Sequence, residues 1–294
     1  MISKDLLNKV KKIEIRTRRM VDEITAGAYH SVFKGSGIEF NEVREYTSDD
    51  DVRDIDWNVT AKTGTPHIKK YVEERELTVM LAVDISASGK FGKYDKTKTE
   101  ASIELAALLA FSAIRNNDKV GLLLFTDKIE FYLPPKSGKQ HVLRLIRELV
   151  VERQTGRKTD IKAALEKIIR ILHKKTVVFL ISDMIDEEHD FSKLLTIANR
   201  RHDLIAVRIL DEIDFFIPKL YSIYIEDSES DEKVYFNANQ KNIKRYKEKA
   251  EKEHNANKEF CIKSKVDIID IRSNEDLIKP LMKFFRKRER MLRK

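Results

Sequence analysis

The chain has 294 residues, 36% of them charged and 41% hydrophobic, and a formal net charge of +8. That length is enough to bury a large core. Its longest nearly apolar run, residues 103–114, is about half of the ~20 residues a membrane-spanning helix needs, and the first residues lead into a charged helix with no signal-peptide core. Cys261 is the single cysteine, which excludes a disulfide framework and a cysteine metal cluster; the expected location is cytoplasmic.

The charge is unevenly placed. Residues 279–294 hold eight basic side chains and one acidic, residues 1–20 hold seven and two, and the body between them is net acidic. Basic ends suit nucleic acid, anionic lipid or an acidic protein, but charge runs are more often solvated helix faces, and that reading is favoured. Any membrane association would then be indirect, and nucleic acid is not the expected partner.

In chain order, Leu6, Val10, Ile13, Thr17, Met20 and Ile24 recur at spacings of three and four, which predicts an amphipathic helix ending near Gly27. Residues 38–46 read as a strand. Residues 55–62 and 67–74 read as two more, joined by Thr63-Gly64-Thr65-Pro66, so a small antiparallel sheet is expected. Residues 76–88, ELTVMLAVDISAS, follow as an apolar strand. Leu77, Val79, Leu81 and Val83 point one way, Met80 and Ala82 the other, as in a central strand covered on both faces.

Beyond Lys96, helices are predicted at 97–116, 141–151, 160–172 and 191–200, alternating with strands at 119–125, 129–133, 176–182 and 204–210. A hairpin at 221–226 and 233–236, a polar helix at 240–258, a strand at 266–271 and a basic helix from 275 complete the chain. The alternation predicts an α/β fold, a doubly wound, mostly parallel sheet with helices on both faces. The expected division is residues 1–76, an N-terminal helix with a small antiparallel β subdomain, and residues 77–294, the α/β domain.

Three separated pieces carry chemistry. Asp84, Ser86 and Ser88 follow the central strand, Thr159 precedes a helix, and Asp183 follows the strand at 176–182; the fold reading brings all three to one sheet edge. Two carboxylates and three hydroxyls make an oxygen-only site of the kind a hard divalent cation prefers. Taken singly, each residue is also ordinary capping or turn chemistry.

Together these residues resemble the metal-ion-dependent adhesion site of von Willebrand factor A-type domains, whose Asp-x-Ser-x-Ser, Thr and Asp they match. The upstream segments Gly37-Ile38-Glu39-Phe40, Val43-Arg44-Glu45-Tyr46, residues 50–57 (DDVRDIDW) and Thr60-Ala61-Lys62 are similar to the signature of the bacterial domain of unknown function family 58, and the similarity runs on through Lys69 and residues 73–76. The resemblance implies a von Willebrand A-type fold, Mg²⁺ or Mn²⁺ at Asp84, Ser86, Ser88, Thr159 and Asp183, and a role as adaptor to a MoxR-type AAA+ ATPase that remodels or matures clients. The client would supply an acidic residue to the metal. Ser48-Asp49 stands where the family usually has Pro-Gly, and Gly89 where it often has Met; Gly89 is expected to be tolerated.

Two further readings stay beside this one. Arg44, Arg53, Asp56 and Trp57 form either a partner surface or, as favoured here, a fixed loop in which Trp57 anchors the small sheet and the arginines pair with Asp50, Asp51 and Asp56. Metal-dependent hydrolysis would need a base, for which Asp127, Asp160 and Asp186 are the nearby candidates. No P-loop, no HExxH and no second carboxylate two positions after Asp84 is present, so the chain is expected not to be an enzyme.

Overall fold

The computed structural model describes residues 10–17, 20–21, 39–47, 50–72, 76–90, 96–151, 156–186, 190–215, 223–226 and 233–292. A six-stranded sheet organises them: β3 (Thr78–Asp84), β4 (Lys119–Phe125), β5 (Ile129–Lys136), β6 (Val177–Ser182), β7 (Asp203–Leu210) and β10 (Asp267–Arg272), in the order β10-β7-β6-β3-β4-β5. All neighbours are parallel except β4 and β5. From β3 the chain builds outward through β4 to β5, then returns to the other side of β3 and builds outward through β6 and β7 to β10. The order therefore reverses beside β3, where open α/β sheets form a crevice at their carboxyl ends.

The alternation in β3 sorts the core into two layers. Leu77, Val79, Leu81 and Val83 pack on one face with α2 (Lys98–Arg115), α3 (Lys139–Val150) and α7 (Ile278–Leu292). Met80 and Ala82 pack on the other with α4 (Ile161–Ile171), α5 (Ser192–Arg201) and Cys261 of α6 (Gln240–Lys263). The expected central strand is thus the observed one, and the expected doubly wound, mostly parallel α/β architecture is present. Residues 10–17 are helical, and Val10, Ile13 and Met20 pack on the first layer. Among the described residues no helix is long and apolar enough to cross a membrane.

Two expectations are corrected. Residues 55–62 are not a strand: α1 (Trp57–Thr63) is a helix, because the Asp56 carboxylate accepts from the Asn58 and Val59 N–H groups and Gly64 closes it at φ 79°. The small sheet is instead β1 (Glu39–Glu45) against β2 (His67–Val72), with Ile55 making one isolated bridge to Ile68. The strand at 129–133 continues through Pro134-Pro135 to Lys136, which an edge strand tolerates. The later hairpin is β8 (Ile223–Glu226) with β9 (Lys233–Phe236); its loop, like Gly37, Ser48-Asp49 and residues 73–75, lies outside the described residues.

Candidate functional site

Asp84 ends β3 and Asp183 follows its neighbour β6, so the sheet register alone sets the two carboxylates side by side. The loop after β3 folds onto Asp84: its Oδ1 accepts from the Ser86 N–H at 2.9 Å, and Ser86 Oγ lies 3.0 Å from Ser88 Oγ. Its Oδ2 accepts from Ser182 Oγ at 2.8 Å and from Thr159 Oγ1 at 3.3 Å. Residues 75 and 98 positions away in sequence therefore meet on one carboxylate.

The three loops are tied to each other as well as to Asp84. The Ala87 N–H donates to the Arg157 carbonyl at 2.9 Å, and the Ile161 N–H donates to Asp186 Oδ2 at 3.0 Å. Gly156 is a requirement of the second loop, since a Cβ there would stand 1.7 Å from Asp127 Oδ1. In the third loop Met184 is buried at φ 63°, a left-handed conformation unusual for its side chain, and its carbonyl accepts from Asn257 Nδ2 at 3.0 Å. Backbone of this kind persists where surrounding contacts over-determine it.

Asp84, Ser86, Ser88 and Asp183 line a small cleft of ≈ 20 Å³, about the space of one water or one ion. Thr159 stands behind Asp84 and reaches it without lining the cleft. Of the five residues expected from sequence, all come together, four at the cleft and one behind it. Gly89 lines the cleft too, and its substitution is not neutral: a Cβ would come 2.5 Å from Thr99 Oγ1. Asp127, Asp160 and Asp186 do not line it; Asp160 caps α4 through the Ala163 N–H, and Asp186 holds the Ile161 N–H.

Lys98, Thr99, Ser102, Ser182 and Ile209 also line the cleft without a sequence expectation for them, and Lys98 is the one among them that carries a charge. Lys98, in the first turn of α2, sends its ammonium to Asp183 Oδ2 and Asp214 Oδ1, 3.1 Å from each. The signal was available: Lys98 stands on the stripe of Ala101, Ser102 and Leu105 that α2 turns inward, and a lysine there must find a carboxylate. Burial alone would lower its pKa, but the charges of Asp183 and Asp214 outweigh burial and raise it. Among the described residues no such cation bonds Asp84. Burial first, and the Asp183 charge second, push its carboxyl up to about 6, against the pull of the hydrogen bonds from Ser86 and Ser182.

The donor set suits a hard divalent cation: carboxylate and hydroxyl oxygens, with Asp84 raised in pKa by burial and by the Asp183 charge. Among the described residues no group of three or more His, Cys, Asp or Glu side chains is arranged to hold a metal. A cation here would rely on Asp84, Asp183, the serine hydroxyls and water.

The front segment is built differently. Arg44 pairs with Asp50 through two bonds of 2.9 and 2.6 Å, which hold the Asp50 carboxyl down to about 2. Arg53 reaches Asp51 at 3.5 Å, and Asp56 caps α1. Trp57 is 67% exposed, so it does not anchor the small sheet; Val52, five residues earlier, is exposed as well. At the basic end, Leu277, Leu281 and Phe285 are buried and Phe284 packs on the core, while Lys279, Lys283, Arg286, Lys287 and Arg290 face water. The solvated-face reading describes that helix, and its aromatic rings are core.

Compared with protein families, residues 42–257 match the family described as Protein of unknown function DUF58. The chain belongs to that family. The uncharacterized protein Rv1480 of Mycobacterium tuberculosis is 29% identical over 223 residues, covering 75% of this chain and 70% of its own. Among solved structures, the conserved hypothetical protein BatB from Bacteroides thetaiotaomicron aligns with a TM-score of 0.46 at 15% identity, over 73% of this chain and 99% of its own. A von Willebrand factor type A protein from Catenulispora acidiphila aligns at 0.41 and 12% identity, over 73% of this chain and 42% of its own.

Proposed function

We propose that this DUF58 protein is a non-enzymatic protein-interaction module whose cleft holds Mg²⁺ or Mn²⁺ and captures a partner through an acidic side chain. The observation that carries the reading is the convergence of Asp84, Ser86, Ser88 and Asp183 on one ion-sized cleft, with Thr159 supporting Asp84 from behind. Asp84 and Asp183 supply the charge and the two serines supply neutral oxygens. When bound, the cation supplies a positive centre to which a partner carboxylate binds. Hydrolysis is not favoured, because among the described residues the cleft's only other ionisable group is Lys98, already engaged by two carboxylates.

The partner proposed is a MoxR-type AAA+ ATPase, with a client protein brought to it. Arg44, Arg53, Asp56 and Trp57 are proposed as a second contact, because the exposed Trp57 is an apolar group with no structural use in the small sheet. The test is capture by the immobilised protein of a purified MoxR-type ATPase in Mg²⁺, in chelator, and with Asp183→Asn in Mg²⁺. Capture confined to the first condition is the expected result. Equal capture in all three removes the metal from the mechanism.

A further inference from the structure

Lys98 places a positive charge at a cleft that the reading above assigns to a cation. Its Nζ lies 3.1 Å from Asp183 Oδ2 and 3.1 Å from Asp214 Oδ1, so neither carboxylate holds it in preference to the other. Both acceptors are themselves fixed. Asp183 Oδ1 accepts from the Ile185 N–H at 3.1 Å, and Asp214 Oδ2 accepts from the Asp211 N–H at 2.8 Å. The side chain of Lys98 is 8% exposed, and its root in α2 is fixed by the Thr97 capping box, which leaves the flexible stem as the part that moves. Asp214 belongs to the short turn after β7 and does not line the cleft, whereas Asp183 does.

We propose that Lys98 is a built-in competitor for the cation: it shares Asp183 with Asp214 when the cleft is empty of metal, and moves wholly onto Asp214 when a divalent cation binds Asp183. The inference rests on the divalent-cation reading above. Like charges a few ångströms apart in a buried site repel strongly, so the ammonium and a divalent ion do not share one carboxylate oxygen. Asp214 supplies the second seat, and the pair Lys98–Asp214 sets how tightly metal is held. Metal affinity is then deliberately moderate, which keeps an apo state within reach and makes the partner carboxylate count toward closing the site.

The experiment is Mn²⁺ binding to the full chain by titration calorimetry at constant ionic strength, comparing wild type, Lys98→Met, Asp214→Asn, Lys96→Met and Asp84→Asn. Lys98→Met is expected to bind Mn²⁺ at least about tenfold more tightly than wild type, since it removes a buried like charge beside the ion. Asp214→Asn is expected to bind about tenfold more weakly, because Lys98 then has Asp183 alone. Lys96→Met removes the same charge two residues away, where Lys96 pairs with Glu104, and is expected to stay within about twofold of wild type.

Wild-type binding that is lost in Asp84→Asn but not tightened in Lys98→Met overturns the competitor role and leaves the metal site standing. No Mn²⁺ binding by wild type or by Lys98→Met overturns the metal site itself, and the competitor with it. If Lys98→Met does not fold, Asp214→Asn decides: weaker binding supports the proposal, and unchanged or tighter binding overturns it.

Discussion

The cleft and the front segment from Arg44 to Thr65 draw on the same residue types, Asp, Ser or Thr, Lys or Arg, and use them in opposite ways. In the cleft the side-chain contacts that join one loop to another are long in sequence: Lys98 reaches across 85 and 116 residues, and Ser182 across 98, while Ser86 and Ser88 add local bonds beside Asp84. In the front segment the contacts are local, Arg44 to Asp50, Asp56 to its own helix, Thr60 to His67. Burial follows the same division. Asp84 and Lys98 are buried and cross-linked, whereas Trp57, Arg53 and Asp51 stand in water. Charges in a buried network depend on one another, and charges on an exposed loop are largely independent.

The sharpest way to test that contrast is to remove one charge from the buried network. Lys98→Met leaves Asp183 and Asp214 without their cation in a site that already holds Asp84, and breaking a buried ion pair from one side costs about 3–5 kcal/mol. Urea unfolding in chelator is expected to show that loss, with a slope unchanged from wild type. A change under about 1 kcal/mol would place the Lys98 ammonium in water rather than between the two carboxylates.

A smaller effect of opposite sign is expected at Asp84, which no cation bonds among the described residues. The Asp84 carboxyl is raised from 3.8 to about 6, so between those pH values the folded protein holds a proton that the unfolded chain has released. Stability attributable to this group therefore falls as pH rises through that window, and the full cost is present above it. Asp84→Asn removes the cost. In chelator at pH 7 it is expected to be about 1–3 kcal/mol more stable than wild type, and the two proteins should converge near pH 4. A destabilised Asp84→Asn at pH 7 would show that the ionised carboxylate, through Ser86, Ser182 and Thr159, is worth more to the fold than its burial costs.

The same division by contact range explains what was legible in the sequence. The alternation of Leu77 to Val83, the turnover of strands and helices after Lys96 and the ends of β3 and β6 are properties of short windows, and they located Asp84 and Asp183 on adjacent strands. Ser182 and Lys98 were hidden because their roles depend on partners about a hundred residues away, although a lysine on the inward stripe of α2 was a visible anomaly. Arg208 is a second case. It interrupts the apolar strand β7, is fully buried, and bonds Asp270 at 2.8 Å and the His254 carbonyl at 2.9 Å to hold α6. At the front, the run from Ile55 to Lys62 fitted a strand in composition, and one local bond decided otherwise: the Asp56 carboxylate on the Asn58 and Val59 N–H groups starts a helix before a ladder forms.

That helix is why Trp57 faces outward, and it supplies the smallest stability effect and the cleanest separation of the two regions. Trp57 occupies the first position of α1, is 67% exposed, and has Val52, 57% exposed, near it in sequence. Trp57→Ala is expected to change unfolding stability by no more than about 0.5 kcal/mol, as for a surface position without partners to lose. It should leave Mn²⁺ affinity unchanged, because no residue of α1 lines the cleft. Capture of the ATPase is the quantity expected to fall, about tenfold or more if the indole is an anchor of the contact. A fall in stability of 2 kcal/mol or more would instead mean that the indole packs against the protein in solution. In that case the front segment would be a second structural network like the cleft, and the contrast between the two regions would disappear.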